Sequence, residues 1–475
     1  MRIGLGLRTA IALALVTAVA AVGGAGTGAA ATNPAEATVV GQKAYDYGFP
    51  LLEFLRVRKE MTDVACPDHH GNSPVNSFSN ARIFANAKAR TVVAPNTDTL
   101  YSIAHLDLGK GPVTLSHPKM GKRYYSFELL DPYTNVIDIP GLREDGGAAG
   151  SYVIRWSGKP AKAQKKLKNS RVIKSKFRRV WVIGRTLATD KKDQRKAYEL
   201  MKQYRLTLPN GKPRSFPKGC EPGLPDKFPT PTDGAAFIAA LNEGMEENPP
   251  PKRDDPFLAR LAPYGIGPGL SPEKAGLAPD ALAALYAGVA AEAATLPTQA
   301  KLQALTGSLK TNGWFLPPPD IGDYGTDYDF RAFIASVGLG ANTPEEAIYP
   351  AGITDRDGVL YQGVNDYRLT FGPGGEPPAK YFWSLTMYDS DGYLVDNEID
   401  RYSLGPSHPP LIKKPDGSIV IAVQQTEPSE PRVNWLPAPA SGFRLNLRLY
   451  GPSKAAQTGA WLPPGVVNLG PGGGS

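Results

Sequence analysis

The sequence predicts an α+β fold in which antiparallel strands occupy both ends of the chain and helices lie between them. Three observations lead to this prediction. Short β-like runs fill about 91–187, helix caps followed by apolar residues at helical spacing fill about 190–340, and strand-like runs separated by Asp-Gly turn dipeptides return beyond about 355. Strands, then helices, then strands indicate segregated elements rather than a parallel sheet with crossover helices.

The first 31 residues have the order of a secretory signal peptide. Arg2 and Arg8 precede an apolar stretch from Ile11 to Val22, and small residues follow up to Ala31. The stretch is shorter than the roughly 20 residues that a membrane span requires. We therefore expect cleavage after Ala31 and a soluble mature chain with no transmembrane segment, extracellular or associated with the cell wall. A retained signal anchor is the alternative.

The mature chain opens with a helix signal. Asn33 is the expected cap, Pro34 stands in the first turn, and apolar residues recur at helical spacing from Val40 to Leu55. Pro50 is expected to kink or divide this helix, because proline removes a backbone donor and its ring clashes with the preceding turn.

The clearest strand of the first half is 123–130. Its apolar side chains fall on one face, and Ser126 and Glu128 fall on the other, which predicts a half-buried strand. Further along, Asp190 and Asp233 are the expected caps of two helices within a helical segment, 191–345.

In the last third, a hairpin is predicted at the turn dipeptide Asp391-Gly392, between the runs 381–388 and 393–395. Two later runs, 418–423 and 443–450, are expected to extend that sheet. Residues 468–475, rich in glycine, are predicted to be a disordered tail.

Only two cysteines occur, and in an exported protein an even count favours a disulfide between Cys66 and Cys220. The competing interpretation joins Cys66 to Asp68, His69 and His70 as a metal site, but a closed shell would need a remote further ligand. The prediction is therefore the disulfide and no metal, and the cofactor is unknown.

One basic stripe makes the protein basic. The segment from Lys159 to Arg179 holds ten basic side chains and no acidic one, and without it the mature chain is net acidic. Such a stripe is suited to an anionic envelope polymer, whereas a solvated surface is the plain alternative. Nucleic acid is not expected, because export separates the protein from it and few aromatic residues accompany the stripe.

Standard catalytic signatures are absent from the sequence, so chemistry has to be sought in weaker patterns. The densest polar segment is 94–102. If it lines a cavity, Asn96 and Asp98 supply an oriented amide and carboxylate, and Tyr101 is a wall or a proton donor. If it does not, the same residues form an Asx-type turn that opens a strand.

Several strings resemble two families of unknown function. Asn96 to Ser102, Arg123-Tyr124-Tyr125 and Asp131 with Tyr133-Thr134-Asn135 resemble domain-of-unknown-function family 1254. Residues 382–389, 434–439 and 447–450 resemble domain-of-unknown-function family 1214.

Together the resemblance covers nearly the whole mature chain. It implies an N-terminal helix plus β-sandwich at 32–190, the helical segment, and a jelly-roll-like β-sandwich at 346–467. It implies no reaction.

Two hypotheses follow. The first is a secreted hydrolase or lyase acting on a small molecule or envelope glycan, with Asp98 and Asp131 as acid and base and Arg123 as electrostatic partner. This requires that the three converge in one cleft.

The second hypothesis is a non-catalytic ligand-binding or envelope-associated module. The residues that would bind its ligand are Asn96, Tyr101, Trp383, Asn397, Arg401 and Trp435. Trp383 and Tyr388 stand an odd number of positions apart on one strand, so they point to opposite faces and cannot both line one pocket.

Overall fold

The structure is a computed structural model that describes residues 33–90, 94–158, 170–296, 298, 312–316, 318–406 and 410–472. The predicted signal peptide, with its cleavage site after Ala31, lies outside these residues, as do the first five lysines of the basic stripe. The fold is mixed α+β, as predicted, and its strands pair antiparallel apart from two parallel pairs. No helix of the described ranges is long and apolar enough to cross a membrane.

The elements follow the strand, helix, strand order of the sequence after an N-terminal helix. The described α-helices are α1 (Pro34–Thr62), α2 (Leu142–Asp145), α3 (Lys191–Met201), α4 (Gly234–Glu247), α5 (Asp255–Leu261), α6 (Pro279–Thr295), α7 (Tyr328–Gly338) and α8 (Lys454–Gln457). The strands of the first half are β1 (Ser79–Asn80), β2 (Thr99–Asp107), β3 (Val113–His117), β4 (Tyr125–Leu130), β5 (Val136–Asp138), β6 (Gly150–Trp156), β7 (Arg171–Ser175), β8 (Arg179–Leu187) and β9 (Arg205–Thr207). Those of the second half are β10 (Trp314–Phe315), β11 (Ala347–Ile348), β12 (Ala351–Gly352), β13 (Asn365–Phe371), β14 (Ala379–Asp389), β15 (Ser403–Leu404), β16 (Ile419–Gln424), β17 (Asn434–Pro437), β18 (Phe443–Pro452) and β19 (Val467–Pro471).

Helix α1 begins at the predicted cap. The side chain of Asn33 accepts a hydrogen bond of 3.0 Å from the backbone N–H of Ala35. Of the two effects predicted for Pro50, a kink or a division, the division does not occur, because α1 continues unbroken to Thr62. Pro50 is buried among the neighbouring helices, and their packing offsets the backbone hydrogen bond that proline removes.

Helices α1, α4, α6 and α7 form a helical body with one apolar core. Its buried members include Tyr47, Leu51, Leu241, Leu285 and Phe333. A Cβ atom at Gly288 of α6 would lie 2.1 Å from the carbonyl oxygen of Thr38 in α1, so glycine lets the two backbones touch.

Two more helix starts agree with the sequence. The side chain of Asp190 accepts from the N–H of Asp193 at 2.7 Å, and that of Asp233 accepts from the N–H of Ala236 at 2.9 Å. Both residues cap their helices as predicted.

The first β region contains a sheet of order β1-β2-β8-β4-β5, here called the N-terminal sheet, and a second sheet of order β7-β6-β3-β9. One apolar cluster joins the two sheets, with Leu100, Phe127 and Val182 from the first and Leu115 and Ile154 from the second. Strand β9 of the second sheet lies beyond residue 190. The predicted helical segment, 191–345, therefore contains a strand of this sheet.

Strand β4 is not half-buried, which corrects the prediction. All six residues are buried, and Ser126 and Glu128 on the supposed solvent face are both 0% exposed. That face is covered by the second half of the chain, and a charged carboxylate therefore lies in the interior.

The second β region contains a sheet of order β10-β12-β18-β14-β15, here called the C-terminal sheet, and a second sheet of order β17-β16-β13-β19. Both sheets contribute to one apolar cluster, with Leu385 and Leu447 from the first and Leu369 and Ile421 from the second. On β14 and β18 the side chains between these core residues point away from the cluster, and that outer face forms the site described below.

Two further expectations need correction. The turn at Gly392 is present, but beyond it the predicted hairpin has a single bridge between Tyr388 and Leu394, and β14 pairs with β18 and β15 instead. Residues 468–471 of the predicted disordered tail belong to β19, which pairs with β13.

Candidate functional site

The two carboxylates predicted as acid and base lie at opposite ends of β8. The N–H of Ala188 donates to the carbonyl oxygen of Asp98, whereas Leu130, which precedes Asp131, stands opposite Trp181. About eight residues of extended strand separate the two levels, or roughly 26 Å. Paired carboxylates that cleave glycosides stand about 5–10 Å apart. The structure does not bring Asp98 and Asp131 together.

Arg123, predicted as their electrostatic partner, is bound elsewhere. Its guanidinium donates to both carboxylate oxygens of Asp193 at 2.7 Å and to the carbonyl oxygen of Leu187 at 2.6 Å. The hydrogen bonds from Arg123 lower the pKa of Asp193. Arg123 thus fastens the start of α3 to the end of β8, a structural role.

Asp131 organises the turn between β4 and β5. Its Oδ1 accepts from the backbone N–H of Tyr133 at 2.8 Å and of Asn135 at 3.0 Å. Burial raises the pKa of Asp131 to about 6, although the hydrogen bonds from Asn135 lower it. Its perturbed pKa reflects a buried turn rather than a shared cleft with Asp98.

The polar segment around Asn96 is the Asx-type turn that the sequence left open. Oδ1 of Asn96 accepts from the N–H of Asp98 at 2.5 Å and of Thr99 at 3.0 Å. Its amide also donates to the hydroxyl of Tyr450 at 2.8 Å, on β18 of the other β region. The turn therefore holds the two halves of the chain together as well as opening β2.

Residues 94–98 are hydrogen-bonded to the outer face of the C-terminal sheet. Four contacts reach them: Ser384 to Oδ2 of Asp98 at 2.6 Å, Tyr388 to the carbonyl of Pro95 at 2.7 Å, Arg448 to the carbonyl of Ala94 at 2.9 Å, and Ser403 with Thr97 at 2.8 Å. Three of the C-terminal partners alternate with core residues along β14 and β18. The strings that resemble the two families therefore meet at this contact.

A buried polar cluster lies where the outer faces of the two sheets meet. We call it the interface cluster, and its members are Tyr101, Glu128, Arg185, Asn342, Tyr349, Tyr388, Arg448 and Tyr450. Tyr101 stands directly opposite Arg185 in the pairing of β2 with β8. Burial raises the pKa values of Tyr349, Tyr388 and Tyr450, and Tyr101 is a neighbour close enough to raise each of them further, so these phenols surround one place.

Arg185 and Glu128 form the buried ion pair of the interface cluster. Nη1 of Arg185 lies 2.7 Å from Oε2 of Glu128 and 3.1 Å from Oδ1 of Asn342, and Nη2 donates to the carbonyl of Gly340 at 2.7 Å. Burial raises the pKa of Glu128, and Arg185 offsets part of that effect. Among the described residues, Oε1 of Glu128 has no hydrogen-bond partner although it is buried.

Arg448 supplies a second buried guanidinium. It donates to Oγ1 of Thr386 at 2.7 Å, to the hydroxyl of Tyr388 at 2.5 Å and to the carbonyl of Ala94. These three acceptors are uncharged, and Asp98 contributes negative charge at longer range. The site thus holds two fixed cations and a set of phenols in an interior where electrostatic interactions are strong.

Tyr101 is the predicted residue that fits a ligand site best. It is half-buried among almost completely buried neighbours, and its ring lies 5.8 Å from Cζ of Arg185. Within the part of the chain that the structure describes, its hydroxyl makes no hydrogen bond. Its role as wall or proton donor stays a prediction.

The other predicted ligand residues do not form one platform. Trp383 is 3% exposed and packs on Phe371 inside the apolar core, so it is not a surface residue. As the alternation predicts, Tyr388 points to the opposite face. Asn397 and Arg401 support a loop: Oδ1 of Asn397 accepts from the backbone N–H of Arg401, and the guanidinium of Arg401 donates to the carbonyl of Trp435, both at 2.9 Å.

The disulfide prediction is confirmed, because Cys66 and Cys220 are bonded with their Cα atoms 6.3 Å apart. The disulfide occupies the sulfur of Cys66, so Cys66 is not available as the thiolate ligand of the competing metal site, and Asp68 accepts from the N–H groups of His70 and Asn72, both at 2.8 Å. No group of three or more candidate metal ligands occurs in the described ranges.

The described half of the basic stripe is largely paired. Arg171 contacts Asp138 and Asp145, Arg178 contacts Asp107, and Arg179 contacts Glu247. Lys174 and Lys176 are exposed on and beside β7. Binding of an anionic envelope polymer stays a prediction.

Sequence reasoning missed Glu128, Arg185 and Asn342 as site residues. Glu128 looked like an ordinary solvent-facing residue of an alternating strand. One feature of the sequence could have revealed Arg185. It is the only charged residue in the run 180–187 of β8, whose other residues are nearly all buried. A charge in such a run indicates a buried partner.

The sequence comparisons agree with this picture. Residues 75–208 match the family model described as Protein of unknown function (DUF1254), and residues 346–454 match Protein of unknown function (DUF1214). The two matches lie in that order along the chain. No curated protein matches it.

Two crystal structures are similar to this chain. The VPA0106 protein from Vibrio parahaemolyticus is 22% identical with a TM-score of 0.64, over 91% of this chain and 100% of that one. An uncharacterized protein from Burkholderia cenocepacia is 13% identical with a TM-score of 0.43, over 92% and 95%. The first likeness shows a shared fold.

Proposed function

We propose that this chain, which joins a DUF1254 segment to a DUF1214 segment, binds a small polar molecule at the interface cluster. The observation that carries the proposal is the buried carboxylate oxygen Oε1 of Glu128, which has no hydrogen-bond partner among the described residues. A buried acceptor without a donor costs about 1–3 kcal/mol, and more when it is charged. A ligand hydroxyl or amine would satisfy it.

The surrounding groups define the chemistry of the ligand. Arg185 and Arg448 offer donors for a carbonyl, hydroxyl or carboxylate oxygen, and the free hydroxyl of Tyr101 can donate or accept. Tyr349 and Tyr450 supply aromatic surface with polar tips. We infer a small molecule rich in hydroxyl groups, such as a sugar or hydroxy acid, which includes fragments of an envelope glycan.

The predicted acid and base do not support hydrolysis, so we favour binding without turnover. Asp98 and Asp131 lie at opposite ends of β8, and Arg123 is bound to Asp193. The raised pKa of Glu128 favours a second candidate function, a hydrolase or lyase in which Glu128 is the acid or base. The raised pKa of Glu128 is the property that a general acid or base requires near neutral pH.

We also propose that each β region is a β-sandwich and that the second is jelly-roll-like. The support is that two sheets share one apolar cluster in each region. Export of the protein is supported by the signal-like order of residues 1–31 and by the disulfide between Cys66 and Cys220.

The experiment is a screen of sugars, sugar acids and hydroxy acids by thermal shift, followed by calorimetric titration of the hits. We expect a hit to bind at least tenfold more weakly to Glu128→Gln and to Tyr101→Phe. Glu199→Gln and Tyr402→Phe, whose side chains lie outside the cluster, are matched controls that should bind normally.

Mass analysis of each hit after incubation separates the two candidates. An unchanged ligand supports the binding module, whereas a product that forms with wild type and not with Glu128→Gln supports the enzyme. Hits that bind all four variants with wild-type affinity, or no hit across the screen, would count against the site.

A further inference from the structure

A cleft separate from the interface cluster lies on the helical side of the N-terminal sheet. It has a volume of about 500 Å³ and is bounded by α1, α4 and the segment 228–231, which crosses over α1. That segment is fixed in place: the N–H of Phe228 donates to Glu60, and the hydroxyl of Thr230 donates to Glu53, both at 2.8 Å. The cleft is therefore a built feature of the fold.

The cations that line this cleft are paired, with one exception. Arg56 is bound by Glu53 and Glu60, Arg179 lies 2.7 Å from Glu247, and Lys59 lies over the ring of Phe228 at 3.6 Å. Arg58 contacts no carboxylate within the described chain. Its one hydrogen bond is a long one, 3.4 Å to the carbonyl oxygen of Leu106.

The surroundings of Arg58 disfavour an uncompensated cation. Burial lowers the pKa of Arg58 to about 10, the neighbouring guanidinium of Arg179 lowers it further, and Asp107 and Glu247 offset only part of this effect without contacting Arg58. A partly desolvated cation that no carboxylate contacts is stabilised when an anion binds to it directly. A guanidinium also presents a planar set of donors that fits the oxygens of a carboxylate or phosphate.

We propose that this cleft is a second ligand site, in which Arg58 binds the carboxylate or phosphate group of a small molecule. Leu52, Leu55 and Phe228 give the cleft apolar walls beside Arg58, so an anionic group with an apolar body fits it. Glu243 and Glu247 also line the cleft and disfavour a large negative charge. Neither Glu128 nor the rest of the interface cluster takes part.

The test is calorimetric titration of the full chain, in phosphate-free buffer, with hexanoate and with inorganic phosphate as separate probes. We expect at least one probe to bind and Arg58→Gln to weaken it at least tenfold, whereas Arg58→Lys keeps part of the affinity. Arg195→Gln removes an exposed cation from α3 and should change the affinity less than twofold. Preference for hexanoate indicates a carboxylate ligand, and preference for phosphate indicates a phosphorylated one.

Two results would overturn the proposal: neither probe binds wild type, or Arg58→Gln and Arg195→Gln weaken binding equally. Thermal unfolding keeps the test interpretable, because removing a half-buried cation that no carboxylate contacts should raise the Tm of ligand-free Arg58→Gln rather than unfold it. Glu128→Gln should bind both probes normally, which separates this site from the interface cluster.

Discussion

The hydroxyl of Ser384 donates a hydrogen bond of 2.6 Å to Oδ2 of Asp98, across 286 positions of sequence. Asp98 lies in the turn that opens β2, and Ser384 lies on the outer face of β14. Both side chains are almost completely buried, so the bond ties the first β region to the second.

We expect this bond to stabilise the folded chain. Hydrogen bonds to charged groups contribute about 1.5–3 kcal/mol, so Asp98→Asn and Ser384→Ala should each lower the free energy of unfolding by about that amount. The double variant should lose less than the sum, with a coupling of about 1–2 kcal/mol in urea titrations. Ser441→Ala, an exposed serine, is the control. Additive losses would show that the two side chains do not interact in solution.

Arg123 should matter for stability and not for ligand binding. Arg123→Gln removes two charged hydrogen bonds to a half-buried Asp193, and we expect a loss of about 1–2 kcal/mol in the free energy of unfolding. Lys202→Gln removes an exposed ion pair with Glu199 and an exposed contact with the ring of Tyr198, and it should cost nothing measurable. A loss of ligand affinity in Arg123→Gln, with stability unchanged, would restore the catalytic interpretation.

His105 should make the chain sensitive to acid. It is buried, stacks on Trp181 at 5.3 Å, and neither ring nitrogen has a hydrogen-bond partner among the described residues. Burial and then Arg58 lower the pKa of His105 well below its usual value of 6.5. The unfolded chain therefore binds the proton more readily than the folded chain.

The stability that the neutral His105 contributes is full above pH 6.5 and falls as the pH drops toward the folded-state pKa, by up to about 1.4 kcal/mol per pH unit. Urea titrations at pH 8, 6.5 and 5 should show a smaller loss for His105→Phe than for wild type. His70→Phe, at an exposed histidine, should follow wild type. Equal losses in wild type and His105→Phe would refute the assignment.

The disulfide should stabilise the mature chain strongly. It closes a loop with a separation of 154 residues, which corresponds to about 5 kcal/mol in the chain-entropy model. The double variant Cys66→Ser with Cys220→Ser should lower the Tm by several degrees. Alkylation followed by intact mass should label no thiol without reductant and two thiols with it, and labelling without reductant would contradict the bond.

Short-range sequence patterns correctly predicted much of the fold. The caps at Asn33, Asp190 and Asp233 act within one helical turn, and the residues themselves specify them. Alternation on β14 correctly placed Trp383 and Tyr388 on opposite faces. The hairpin at Gly392 forms only as a turn and one bridge, between Tyr388 and Leu394, because a sequence pattern does not show that a later segment, β15, pairs with Leu385 and Thr386 of β14.

The sequence by itself determined the α+β order, the helix starts, the disulfide and the family resemblance, because each depends on neighbouring residues or on simple counting. Only the tertiary structure decided the site. An alternating strand shows which residues share a face, but it does not show what covers the other face. Glu128 became a buried carboxylate, and Asp98 a partner of Ser384, because the C-terminal sheet packs on the outer face of the N-terminal sheet.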